Sequence, residues 1–162
     1  MLVVSDASPI NILIRLSLDD LLTLLFHSVV IPSSVAEEMS RSGTPEIVRN
    51  WMAHAPAWLS IQVPTKAVPG VELRHRGERD AIELARELNA DAILLDEDKP
   101  RMQAVKLGLR VIGTVGILEL AANKGHIGDL KAVHDQLRHT DFYISQKVLN
   151  DSLARHLAHK RT

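Results

Sequence analysis

The chain of 162 residues contains no cysteine, which excludes a disulfide framework and any metal site built on thiolates. Aromatic residues make up only 3%, which argues against extensive stacking on nucleic-acid bases and implies a core of aliphatic side chains. No long apolar run or leader pattern is visible, so we expect no signal peptide and no membrane segment. The lack of cysteine fits a reducing compartment, and we therefore expect the protein to be cytoplasmic.

The chain also lacks an excess of positive or negative charge, since its net charge is only −1. The distribution is uneven: residues 123–162 hold seven Lys and Arg against four Asp, while the remainder is acidic. An acidic front and a basic tail could hold cations and phosphates in separate places, although a random division of surface charge is equally compatible. Hydrophobic residues make up 46%, so we predict one domain over 1–162 with a basic helical segment over about 126–162.

Short apolar segments alternate with helical patterns along the whole chain. This alternation predicts an α/β fold of three layers, in which helices cover both faces of a central parallel sheet. Functional side chains in such sheets lie at the carboxyl ends of the strands, near the point where strand order reverses. We predict strands at 2–5, 29–31, 59–63, 92–95 and 110–112, with helices at 8–16, 17–26, 34–42, 45–54, 78–88, 100–107, 114–125, 129–137 and 145–159.

Local capping signals suggest where several helices begin and end. Ser8 before Pro9 has the pattern of an N-cap, and the spacing of Ser34 and Glu37 is that of a capping box. Thr114 is expected to cap the helix that follows it, and Gly108 is expected to end the helix before it.

Two acidic positions near the first two strands are candidates for chemistry. Asp6 directly follows the first strand, where a carboxylate could bind a metal ion or the N-terminus of the next helix. Glu37 has a structural explanation in the capping box. Glu38 is expected on the helix side that faces the sheet, where a carboxylate is costly without a cation or a donor.

The helix near residue 78 carries a second ambiguous pair. Helical spacing places Glu78 within an apolar arc and Asp80 at its border. Both could simply complement the helix dipole as acids of the first turn.

Asp96 and Asp98 follow the buried strand at 92–95. An Asp-x-Asp pattern at such a point suits Mg²⁺ or Mn²⁺, because these ions prefer oxygen ligands. Asp98 could instead cap the next helix, so Asp96 is the stronger candidate. His156 and His159 are expected to be surface residues.

These assignments place Asp6, Glu38, Glu78 and Asp96 at one edge of the sheet. Such a cluster would repel itself without a divalent cation, and a cation bound there would activate water and stabilise charge on a phosphoryl group. We find no glycine-rich phosphate loop and no pair of histidines with metalloprotease spacing.

The chain resembles the PIN-domain family, in the branch of small prokaryotic proteins related to VapC-type toxins. The resemblance covers nearly the whole length and rests on the order and spacing of five segments: 3–10 (VVSDASPI), 30–39 (VIPSSVAEEM), 77–85 (GERDAIELA), 93–101 (ILLDEDKPR) and 109–118 (LRVIGTVGIL). It implies a PIN-like α/β/α fold and metal-dependent hydrolysis of RNA with Mg²⁺ or Mn²⁺. It also implies a homodimer and a possible cognate antitoxin partner.

The resemblance also assigns residues to roles. The acidic positions of the family match Asp6, Glu38, Glu78 and Asp96, and Asp98 would join through water. Ser8 and Thr114 match supporting hydroxyl positions, and Arg101 matches a basic position that could contact phosphate. The third acidic block of the family corresponds to residues 77–85 in this chain. Better-studied PIN toxins often have Asp there, whereas here both Glu78 and Asp80 are candidates for the third acidic ligand.

The mechanism expected from these residues is in-line attack of an activated water on phosphorus. Basic residues of the C-terminal segment would guide RNA into the cleft: Lys124, Lys131, Arg138 and Lys147. One alternative is a metal-dependent phosphatase that uses Asp96 and Asp98 as nucleophile and acid. A second alternative is a PIN scaffold that binds RNA or a protein without cutting.

Overall fold

The computed structural model describes all 162 residues as alternating strands and helices. The strands are β1 (Leu2–Ser5), β2 (Ser28–Pro32), β3 (Leu59–Gln62), β4 (Ala92–Leu94) and β5 (Val111–Ile112). The helices are α1 (Ala7–Arg15), α2 (Leu21–Leu25), α3 (Ser33–Met39), α4 (Glu46–Ala53), α5 (Arg76–Glu87), α6 (Asp98–Lys106), α7 (Thr114–Asn123), α8 (Leu130–Arg138) and α9 (Gln146–Lys160).

All five strands form one parallel sheet in the order β3-β2-β1-β4-β5. Because β1 is central, the chain first builds the sheet on one side through β2 and β3. It then returns to the other side of β1 to add β4 and β5. The strand order therefore reverses between β1 and β4, and the predicted parallel α/β architecture is confirmed.

Alternate residues of the central strands pack against helices on opposite faces of the sheet. Val3 of β1 and Leu94 of β4 belong to the larger apolar cluster, which also contains residues of α1, α2, α3, α4, α7, α8 and α9. Val4 and Ile93 belong to the smaller cluster, whose helical members come from α5 and α6. Both faces are thus covered, as expected for short strands that are apolar throughout.

Three predicted caps are wrong, although the helices that they were meant to start exist. The residue before α1 is Asp6 and the residue before α3 is Pro32, and neither helix has a side-chain cap. Ser8 and Ser34 lie inside these helices and donate hydrogen bonds to distant carboxylates instead. Thr114 is likewise the first residue of α7, after Gly113, and not its cap.

Glycine-based helix ends are confirmed. Gly108 and Gly125 adopt φ values of +79° and +82° just after α6 and α7. Glycine reaches this left-handed region without the steric penalty of a Cβ atom.

The apolar faces of α1 and α2 are buried within the monomer. Ile10, Leu13 and Leu22 are fully buried, and Leu24 is the exposed large apolar residue of α2. These helices therefore give no argument for a dimer, which stays a prediction of the resemblance.

The prediction for His156 is wrong, since this residue is 2% exposed. Its Nδ1 lies 2.6 Å from Asn123 Oδ1, because α9 packs on α7. As to membranes, none of the nine helices combines the length and the apolar character needed to span a bilayer.

Candidate active site

The carboxyl ends of β1 and β4 meet where the strand order reverses. The backbone N–H of Asp6 donates to the carbonyl of Leu94 at 3.1 Å, which brings the end of β1 against the end of β4. Asp96 lies two residues beyond β4. The two acidic residues therefore flank the switch point of the sheet, where parallel α/β folds hold their ligands.

A cleft of about 1450 Å³ opens at this edge and brings together most of the predicted site. The predicted residues that line it are Asp6, Ser8, Glu38, Glu78, Asp96, Asp98 and Arg101. Six further predicted residues are not among the lining residues: Asp80, Thr114, Lys124, Lys131, Arg138 and Lys147. The four expected acids thus share one cavity although they come from four separate segments.

Asp96 is held in place by three hydrogen bonds. Thr114 donates to it twice, from its backbone N–H to Oδ1 and from its Oγ1 to Oδ2, both at 2.7 Å. Ser8 Oγ donates to Oδ2 at 2.9 Å. Because Thr114 is fully buried at the start of α7, its position is fixed by the core. Both predicted hydroxyl residues therefore orient Asp96.

Asp6 is the acid whose charge is most costly. It is 6% exposed, and no side chain donates a hydrogen bond to its carboxylate. Burial raises the pKa of Asp6 from 3.8 to about 7. The backbone N–H of Ala7 opposes this rise, while the nearby charges of Glu38, Glu78 and Asp96 add to the pKa. A cation beside Asp6 would remove this cost.

Glu38 reaches the same point from α3, although it is exposed and does not lie buried against the sheet as expected. A Cβ atom added to Gly77 would meet Glu38 Oε2 at 3.2 Å and Asp6 Oδ1 at 3.4 Å. Both carboxylate oxygens therefore lie within 3.4 Å of the small space beside Gly77. A glycine at the start of α5 keeps that space open.

The third acidic block places its two acids differently. Glu78 is 8% exposed and lines the cleft. Burial raises its pKa, His75 opposes the rise, and Glu97 and Glu38 add to it. Asp80 is instead bound away from the cleft, where its Oδ2 accepts from Ser34 Oγ at 2.6 Å.

Arg101 is fixed beside Asp96. Its Nη1 donates to the carbonyl of Leu95 at 2.8 Å. A Cβ on Gly113 would approach this Nη1 to 2.7 Å and Asp96 Oδ1 to 3.1 Å. Gly113 therefore leaves room for a guanidinium and a carboxylate to lie together.

The donor set fits a hard divalent cation. All the acids that line the cleft offer carboxylate oxygens, the ligands that Mg²⁺ and Mn²⁺ prefer, and Asp6 is buried without a side-chain donor. No three of these side chains already converge on one point in the way a closed metal site requires.

Five basic residues of the cleft were missed by the sequence analysis: Arg15, Arg74, Lys99, Arg110 and Arg155. Four of them lie outside the C-terminal segment that we expected to guide RNA. Arg15, Arg74 and Arg155 lie outside the five segments that carry the resemblance, so only the fold brings them to the cleft.

Comparison with known proteins agrees with this geometry. The DUF3368 family model, described as a PIN domain, matches residues 2–157. No curated protein sequence matches the chain significantly. A solved structure of a PilT N-terminus domain protein from the hyperthermophilic archaeon Sulfolobus solfataricus superposes with a TM-score of 0.52 at 18% identity, covering 90% of this chain and all of the other.

The structural match supports the fold alone, because its sequence identity is low. The family match spans nearly the whole chain, including all the acids of the cleft. PIN domains are in general nucleases that need a metal. The chain belongs to the PIN-domain family.

Proposed function

We propose that this protein is an endoribonuclease that hydrolyses RNA phosphodiester bonds with Mg²⁺ or Mn²⁺. One observation carries the proposal: Asp6, Glu38, Glu78 and Asp96 come from four separate segments and line one cleft at the switch point of the sheet. The burial of Asp6 without a side-chain donor supports a cation partner at this cluster.

The residues that would hold a divalent cation are these four acids, with Asp98 as an outer contributor. A cation held there lowers the pKa of water and stabilises negative charge on a phosphoryl group. Ser8 and Thr114 hold the Asp96 carboxylate in a fixed orientation through their hydrogen bonds. Such supporting bonds keep a ligand oxygen pointed at the place where it is needed.

Glu78 and Arg101 are suited to two further roles, proton transfer and phosphate binding. Burial raises the pKa of Glu78, so its carboxylate is a better acceptor for a proton from the attacking water. The guanidinium of Arg101 lies beside Asp96 and is suited to contact a phosphate oxygen of the RNA.

The direct test is cleavage of a mixed RNA pool by the purified protein with Mn²⁺, with Mg²⁺ or with EDTA. We expect cleavage only with a divalent cation, and the Asp6→Asn variant should lower its rate by at least about 100-fold. The matched control is Glu37→Gln, which removes one negative charge from an exposed residue of α3 outside the cleft.

Each other result favours a different function. Undiminished cleavage by the Asp6→Asn variant would contradict the assigned site. RNA binding without metal-dependent cleavage would favour the scaffold alternative. Hydrolysis of small phosphate esters would favour the phosphatase.

The finer biological assignments rest on the resemblance. A VapC-like toxin role, a cognate antitoxin and a homodimer stay predictions, as does the choice between Mg²⁺ and Mn²⁺. Copurification of a protein that inhibits RNA cleavage would support the antitoxin prediction.

A further inference from the structure

The few aromatic residues of this chain are distributed unequally between the interior and the surface. Of two Trp, two Phe and one Tyr, four pack against the larger apolar cluster. Trp51 and Trp58 also contact each other, with ring centroids 5.9 Å apart. Tyr143 differs from all of them, because it is 91% exposed.

Tyr143 lies at the catalytic cleft and not on a remote surface. It belongs to the segment that connects α8 and α9, and residues 141–145 line the same cleft as Asp6 and Asp96. A single exposed aromatic residue normally needs no explanation. An exposed aromatic residue that borders a cluster of acidic and basic side chains does need an explanation, because aromatic rings can stack on the bases of nucleic acids.

The backbone around Tyr143 is anchored on both sides. Phe142 and Ile144 are partly buried and pack against the larger apolar cluster, so the alternation turns Tyr143 outward. Asp141 accepts a hydrogen bond from Arg15 Nη1 at 2.6 Å, which ties the segment to the end of α1. The ring is therefore presented at a defined place on the rim of the cleft.

The positive charges that line the cleft are suited to bind the phosphate backbone of an RNA strand lying beside the Tyr143 ring. Six Lys and Arg side chains line the cleft, and two of them are engaged: Arg15 with Asp141 and Arg155 with Glu119. The other four make no ion pair within the chain: Arg74, Lys99, Arg101 and Arg110. Unpaired cations are free to bind phosphates.

We propose that Tyr143 binds the substrate by stacking its ring on one base of single-stranded RNA. This inference rests on the proposed ribonuclease function and adds a residue that contacts a base of the RNA. The unpaired bases of single-stranded RNA can stack on a protein ring, whereas the bases of a duplex are stacked on one another. A ring at the rim therefore favours single-stranded segments or loops.

The test measures binding in EDTA, where the RNA is not cut. A short single-stranded RNA and a blunt duplex of the same sequence are titrated with the wild type, Tyr143→Ala and Tyr143→Phe. We expect Tyr143→Ala to raise the Kd for the single strand about 5- to 100-fold and Tyr143→Phe to retain wild-type binding. The Kd for the duplex should be the same for all three proteins.

A second readout reports the stacking itself. An RNA with 2-aminopurine at successive positions should lose fluorescence at one position when the wild type or Tyr143→Phe binds, and not when Tyr143→Ala binds. The matched control is Leu24→Ala, which also truncates an exposed apolar residue but lies outside the cleft. Its binding should equal that of the wild type.

The outcomes separate this inference from the proposed function. Equal single-strand affinity of the wild type and Tyr143→Ala, or no single-strand binding by the wild type, would overturn the role of Tyr143. Tyr143-dependent binding by a protein that cleaves no RNA with Mn²⁺ or Mg²⁺ would support Tyr143 and overturn the nuclease.

Discussion

The cost of keeping a charge at Asp6 gives a prediction about stability that does not depend on enzymatic activity. The pKa of this carboxyl group is about 7 in the folded protein and 3.8 in an unperturbed chain, chiefly because the group is buried. A pKa difference of one corresponds to about 1.4 kcal/mol. Ionising Asp6 therefore costs the folded protein about 4 kcal/mol more than the unfolded chain.

The direction of the pH dependence follows from proton binding. Between pH 3.8 and about 7 the folded protein keeps the Asp6 proton and the unfolded chain loses it. The free energy of unfolding of the metal-free protein should therefore fall as the pH rises through this window and level off above it. Burial raises the pKa of Glu78 as well, which adds to the same trend.

The perturbation is Asp6→Asn, which keeps the shape of the side chain and removes its ionisation. We expect the metal-free variant to exceed the wild type in unfolding free energy at pH 8, by up to about 4 kcal/mol, and to match it near pH 4. The assay is urea unfolding followed by circular dichroism, in EDTA, at several pH values. Glu37→Gln is the control, and its stability should follow the wild type throughout.

Added divalent cation should narrow this difference in stability at pH 8. A divalent cation that binds only the folded wild type raises its unfolding free energy by about 2.7 kcal/mol at 100 times its Kd. The Asp6→Asn variant should gain much less at pH 8. A metal-free wild type that is equally stable at pH 5 and pH 8, or an Asp6→Asn variant no more stable at pH 8, would refute the reasoning.

Two further substitutions test how the cleft is held together. Thr114→Val removes the hydroxyl that donates to Asp96 and keeps the shape of the side chain. We expect it to lower the unfolding free energy by about 1.5 kcal/mol and to raise the Kd for Mn²⁺ about 10-fold. Thr114→Ser keeps the hydroxyl and should stay close to wild type. Wild-type Mn²⁺ affinity in Thr114→Val, measured by calorimetry, would contradict this role. Gly113→Ala should cost about 1 kcal/mol by displacing Arg101 from the carbonyl of Leu95. Urea unfolding should show a smaller cost in an Arg101→Ala background, where only the approach to Asp96 Oδ1 at 3.1 Å remains tight. An unchanged cost there would place the main clash elsewhere.

The strands, and the acidic residues at their carboxyl ends, could be predicted because the sequence signals for them are local. A buried run followed by an acid, as at residues 92–96, identifies both a strand and its carboxyl end. Parallel strands then bring such ends to one edge, so the shared cleft of Asp6 and Asp96 follows from the pattern. The caps at Asp129 and Ser145 are similarly local, since each accepts from the N–H three residues later.

The errors arise where a distant partner competes with a local one. Ser34 has the spacing of a capping box, yet its hydroxyl donates to Asp80, 46 residues away. This one bond also separates the two acids of the third block, because it ties Asp80 away from the cleft and leaves Glu78 in it. Sequence spacing contains no information on such a contact until the packing of α3 on α5 is known.

The topology of the sheet explains why the fold tolerates a costly charge at Asp6. After β1 the chain enters α1 on one face, and after β4 it enters α6 on the other. The two connections diverge from the gap between the strands, so no helix covers it. Apolar clusters fill both faces behind the gap and supply the burial free energy that offsets the charge. The segment that connects α8 and α9 lines the same cleft through residues 141–145, which include Tyr143.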